Sequence, residues 1–140
     1  WAGESTVAAA RWLQQTGGNW LDGGRQSLPA YRVELIGARR RPPAGEADPS
    51  ADDFKRVLLI HDPNALKRIR PQSFDLILAG HTHGGQIRLP FVGNPLYDVG
   101  EYEYGLYRTR HGPLYVNPGI GTYRLNARFL ARPEITVIAL

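Results

Sequence analysis

Phe74-Asp75-Leu76-Ile77-Leu78-Ala79-Gly80-His81-Thr82-His83-Gly84-Gly85-Gln86 is the stretch on which the reading of this chain turns. Leu76 to Ala79 form an unbroken apolar run, the pattern of a strand covered on both faces. The run stops at Gly80 and gives way to two histidines among glycines. In sheets flanked by helices, ligands gather where strands end, on the loops that leave them. His81 and His83 stand at such a place.

A second stretch repeats the arrangement. Val57-Leu58-Leu59-Ile60 reads as another buried strand and runs directly into His61-Asp62-Pro63-Asn64. Pro63 suits the first turn of a helix reaching about Arg70, and Pro71 ends it. Strand, helix, strand is the pattern of a right-handed crossover between parallel neighbours. Neighbouring strands lie about 5 Å apart, so His61 and His81 would share one coordination sphere. His83 would reach either a second metal or the far side of the same one. Neutral imidazole is the commonest metal ligand, and its other nitrogen needs an orienting partner. Asp62 would orient His61 or cap the helix. The fourth histidine, His111, sits in an Arg-His-Gly-Pro turn and reads as a solvated turn residue.

Outward from these two strands, residues 4–16 read as a helix. Ser5 or Thr6 would cap it, Ala8 to Ala10 favour it, and Gly17-Gly18 stop it. Val7, Ala10 and Trp12-Leu13 give it an apolar stripe for core packing, and Trp1 would staple its start. Asn19-Trp20-Leu21, the Asp22-Gly23 turn signal and the alternating run from Tyr31 to Gly37 suggest a hairpin. Residues 38–53 hold Arg39-Arg40-Arg41 and several prolines, and read as a flexible, solvated loop. Residues 102–110 and Leu114-Tyr115-Val116 read as hairpin strands. Residues 133–140 read as a closing strand. Tyr102, Tyr104, Tyr107 and Tyr115 fit a half-buried sheet face better than a base-stacking platform.

Composition sets the limits. The chain of 140 residues is 42% hydrophobic and 21% charged, ordinary for one globular α/β domain spanning residues 1–140. No apolar run approaches the roughly 20 residues that span a bilayer. The chain has no cysteine, which excludes disulfides, thiolate nucleophiles and thiolate metal sites. Any metal would be held by imidazole and oxygen, a donor set suited to Mn, Fe, Zn, Ni or Co. The net charge of +4 is first that of a soluble domain with surplus surface arginine; the sharper reading is attraction to anions such as phosphate esters, nucleic acid or an anionic membrane surface, with no specific nucleic-acid partner expected. Phosphate loops and Gly-x-Ser-x-Gly elbows are absent from the sequence.

Histidines alone leave a hydrolytic two-metal site short of carboxylates. The Gly80-His81-Thr82-His83-Gly84-Gly85-Gln86 block resembles a signature of the calcineurin-like metallophosphoesterases, and the strand-borne His61 matches the block before it. The extended form resembles a bacterial branch of membrane-associated or exported phosphodiesterases. Tyr104-Gly105-Leu106-Tyr107, the Gly119-Ile120-Gly121-Thr122 loop and Arg132-Pro133-Glu134-Ile135 extend the likeness to the end of the chain.

That resemblance implies a four-layer αββα sandwich with mixed sheets, of which this chain would be the C-terminal part. It implies two divalent metal ions, with His61 and His81 on one and His83 on the other, and hydrolysis of a phosphodiester or phosphomonoester by metal-activated water. Arg88 and Arg39 are candidates for steering the anion. Relatives carry Asp-x-His, Gly-Asp and Gly-Asn-His blocks that this sequence lacks, so the bridging carboxylate and catalytic histidine are expected upstream of Trp1. The isolated chain is then expected to be inactive and to need the missing half or a second copy of itself. Many relatives also carry Ser-Arg where this chain has Asn117-Pro118. The rival reading is a non-catalytic basic module that binds metal, nucleic acid or a membrane surface.

Overall fold

The computed structural model describes residues 4–21, 23–38, 53–95 and 98–140. They form one helix, α1 (Glu4–Gln15), and six strands: β1 (Arg25–Leu28), β2 (Val33–Ala38), β3 (Lys55–Ile60), β4 (Leu76–Ala79), β5 (Gly105–Thr109) and β6 (Gly112–Val116). The strands make one mixed sheet in the order β1-β2-β3-β4-β6-β5. β2, β3, β4 and β6 run parallel, and an antiparallel strand closes each edge.

The two apolar runs are the central strands. Val57 lies beside Leu76, Leu58 beside Ile77 and Leu59 beside Leu78, so the exits of β3 and β4 are neighbours. Asp75 ties their starts together: its carboxylate accepts from the Arg56 backbone N–H at 2.9 Å and from Lys55 Nζ at 3.2 Å. The crossover between them is a 3₁₀ helix, Pro63–Arg68, not the expected α-helix. Its length explains the tighter coil. Six residues advance about 12 Å as 3₁₀ but about 9 Å as α, and β4 is about 13 Å long. Arg70, preceding Pro71, is also pushed toward extended backbone.

Alternation along the strands sends side chains to two faces. One face holds Ile36, Leu58, Ile77 and Leu114, all with no solvent exposure, sealed by Leu66, Ile69 and Phe74 from the crossover. The other holds buried Val33, Val57 and Leu76 beside half-buried Leu28, Leu35, Leu59 and Leu78. Glu34 is buried and faces two arginines, Arg25 at 3.0 Å and Arg56 at 3.7 Å.

Several local expectations change. The hairpin pairs β1 with β2 through a 3₁₀ turn, Pro29–Tyr31, and Asn19-Trp20-Leu21 is not a strand. Leu21 instead lies over Gly37, where any Cβ would come within 1.7 Å of the Leu21 carbonyl oxygen. Trp12 of α1 is 62% exposed, so the stripe is not packed there; the side chains of Val7 and Ala10, the caps Ser5 and Thr6, and Trp1 lie outside the described residues. Residues 133–140 form no strand, and Ile135 and Val137 are exposed. A strand needs a hydrogen-bonded neighbour, whereas among the described residues this segment makes one backbone bond outside itself, Glu134 N–H to Gly119 O at 3.2 Å. Of the tyrosines, Tyr102 packs edge-on against Tyr107 at 5.1 Å and both lean on the closed core, which fits the sheet-face reading.

His111 overturns its expectation outright. It is 1% exposed. Its Nδ1 donates to the Gln72 carbonyl at 3.0 Å and its Nε2 accepts from Arg110 Nε at 3.0 Å. The hairpin turn is sewn to the start of β4, with Phe74 N–H on the His111 carbonyl at 2.8 Å.

Candidate functional site

β3 ends at Ile60 and β4 at Ala79, and the chain emerges from each directly toward a histidine. The two exits are tied by Gly80 N–H to the His61 carbonyl at 3.2 Å. The imidazoles of His61 and His81 meet with ring centroids 4.5 Å apart, tilted by 57°. Among the described residues no hydrogen bond occupies a ring nitrogen of either one. His61 is held below its ordinary pKa, first by partial burial and then by His81; Asp62 opposes this and His83 reinforces it. A neutral imidazole with open nitrogens is the form that ligates metal.

Beyond His81 the backbone turns left-handed almost continuously. His81 has φ of 71°, His83 50°, Gly84 59°, Gly85 75° and Gln86 50°. Each non-glycine residue in this region costs about 1–2 kcal/mol, so the surrounding structure must impose it. Three residues do so. Thr82, buried, donates its hydroxyl to the Glu103 carbonyl at 2.5 Å and accepts from Gly84 N–H at 3.3 Å. Gln86, also buried, donates Nε2 to the carbonyls of Tyr123 and Leu125 at 3.0 and 2.7 Å, and its Oε1 accepts from Tyr123 N–H at 2.6 Å. Arg128 spreads its guanidinium over the carbonyls of Pro118, Gly121, Ala131 and His83 itself, the last at 3.1 Å. A side chain at Gly84 would also meet Pro118 at 2.9 Å.

His83 is held by its own ring. Nδ1 lies 3.3 Å from the Gly121 carbonyl, which can only accept, so Nδ1 carries a proton and Nε2 is the nitrogen left toward a ligand. Asp62 caps the crossover through Asn64, whose N–H it accepts at 2.9 Å. Arg88 lines a cavity of about 310 Å³ that also touches Gly84, Arg132 and Glu134. It is engaged there, 3.3 Å from Glu103 and donating to the Tyr104 hydroxyl at 2.8 Å. Arg39 and the rest of the arginine run lie outside the described residues. Asn117 serves a turn, its Oδ1 accepting from Gly119 N–H at 2.6 Å.

The His61–His81 pair fits part of a divalent ion's donor set, two imidazoles with free lone pairs at one spot. It does not fit a whole one, since no group of three or more His, Cys, Asp or Glu suited to a metal occurs among the described residues. Sequence reasoning located the histidines and missed Arg128. Gln86 stood in plain view after the glycines, but its acceptors are carbonyls, which carry no sequence signature.

No family model matches the chain and no solved structure does. Curated relatives do match. The uncharacterized metallophosphoesterase YkuE of Bacillus subtilis is 46% identical over 93 residues, 64% of this chain and 32% of the relative. The phosphodiesterase YaeI of Escherichia coli is 37% identical over 123 residues, 81% of this chain and 43% of the relative. A transmembrane protein with metallophosphoesterase domain from Danio rerio is 42% identical over 91 residues, 60% of this chain and 20% of the relative, so the likeness extends beyond bacteria. Histidine block, mixed α/β sheet and relatives together put this chain in the calcineurin-like metallophosphoesterase family, and it spans less than half the length of these matched members.

Proposed function

We propose that this chain supplies one side of a two-metal phosphoesterase centre, with His61 and His81 on one ion and His83 on the other. The observation that supports this most is the pair of open imidazoles at adjacent parallel strand exits, 4.5 Å apart. When bound, divalent metals would supply Lewis-acid polarisation of phosphoryl oxygens and a more acidic water. The chain's own part is to hold neutral ring nitrogens in fixed directions. His83 does so through Gly121, and the His61–His81 pair does so because the two strand exits are hydrogen-bonded to each other. Arg88, beside the cavity at Gly84, would meet a phosphate ester once its contact with Glu103 is exchanged for the substrate. The remaining ligands, carboxylates among them, would come from beyond the described residues, through the rest of the protein or a partner copy.

Hydrolysis of an aryl phosphodiester with added Mn²⁺, by this chain and by a longer protein that contains it, tests the proposal. The longer protein should turn over and lose activity on His81→Ala, while the chain alone should bind metal weakly and turn over negligibly. Vigorous metal-dependent hydrolysis by the chain alone would refute the half-site reading. Metal titration that leaves the His61 and His81 ring resonances unmoved would refute their role as ligands.

A further inference from the structure

At the amino ends of β4 and β6, opposite the His61–His81 pair, lies a cavity of about 380 Å³. Its wall carries Lys67 from the crossover and Arg108 and Arg110 from the β5–β6 hairpin, with Tyr102 and Leu66 as its apolar side. The one carboxylate paired with these cations is Glu101, 3.1 Å from Lys67. Among the described residues no acid pairs with Arg108 or Arg110. Arg110 is nevertheless positioned, because its Nε donates to buried His111 and the outer guanidinium nitrogens remain for a ligand. Like charges gathered with a deficit of anions raise the local concentration of a counter-anion.

We infer that this cavity is a second anion site, for a small phosphate-bearing molecule. Two guanidinium groups match the paired oxygens of a phosphoryl group in a way a single carboxylate would not use. The volume falls in the range of small-molecule sites and exceeds what a bare phosphate fills. The Tyr102 and Leu66 wall suits an organic portion beside the phosphate. The site is independent of the metal centre, since none of its residues belongs to the strand exits or to the histidine loop.

The probe is inorganic pyrophosphate, titrated into the metal-free 140-residue chain while backbone amide resonances are followed at constant ionic strength. Saturable shifts confined to residues 67, 102 and 108–112 are expected. Arg108→Ala and Lys67→Ala, both exposed positions, should each weaken the apparent affinity by about tenfold, the usual scale for a charge-assisted contact. His81→Ala should leave the shifts unchanged. Shifts centred on Arg88 and Arg132 instead, or an apparent affinity unchanged by Arg108→Ala, would overturn the assignment. So would shifts that sodium chloride reproduces at equal ionic strength.

Discussion

His61 and His81 at one end of the parallel strands, and His111 at the other, are the same residue put to opposite uses. The first two leave their ring nitrogens open. His111 spends both, on Gln72 and Arg110, and is sealed from solvent. A ligand needs a lone pair, so the end of the sheet where imidazoles are open is the end that can do chemistry, and the closed one holds the hairpin. Local sequence does not reveal this, because His81 and His111 each stand beside a glycine in a turn.

The sharpest way to break the contrast is to remove the polar residue that holds the open end together. Gln86→Ala deletes three hydrogen bonds of a fully buried side chain and should cost about 3 kcal/mol in urea unfolding. A loss under about 1 kcal/mol would mean that the left-handed loop is self-supporting. His111→Ala should cost about 2–3 kcal/mol, whereas His61→Ala, at an exposed position, should stay within about 0.5 kcal/mol. Equal costs for the two would erase the distinction between an open and a closed histidine. In metal titration the order should reverse: His61→Ala lowers affinity by more than about tenfold, and a folded His111→Gln does not.

A smaller effect than those of Gln86 and His111 lies with Asp75. A backbone hydrogen bond from Arg56, helped by Lys55, holds its carboxyl below the usual carboxylate range. A depressed folded-state value stabilises above the unfolded pKa near 3.9 and is lost as pH falls through the folded value. Asp75 is partly exposed and solvent screens its pairing with Lys55, so Asp75→Asn should cost less than about 1 kcal/mol at neutral pH and flatten the acid limb of the stability profile below about pH 4. An unchanged acid limb would remove Asp75 from the account.

How much of this was legible follows from how far each signal reaches along the chain. β3, β4 and their histidine exits could be read because unbroken apolar runs ending in Gly or His are local patterns. That the two strands are neighbours followed from the short connection between them. The burial of His111 depends on a carbonyl 39 positions earlier, and no window around it contains that fact. Residues 133–140 have strand composition without a strand beside them, which composition cannot know. Arg128 lies among residues that signal only a loop, and the carbonyls it gathers come from four separate places. The helix–strand crossover was right in place and wrong in pitch, because the distance it must return decided the coil.

With His81 and His83 as the proposed metal ligands, their left-handed backbone would set heat tolerance against activity. Glycine or asparagine adopts that conformation with less strain than histidine. A library of this loop selected only for surviving high temperature should therefore drift toward Gly and Asn at both positions. The same library selected for turnover in the longer protein should keep histidine there and gather its stabilising changes elsewhere. The two selections would part at the two histidines that carry the left-handed backbone.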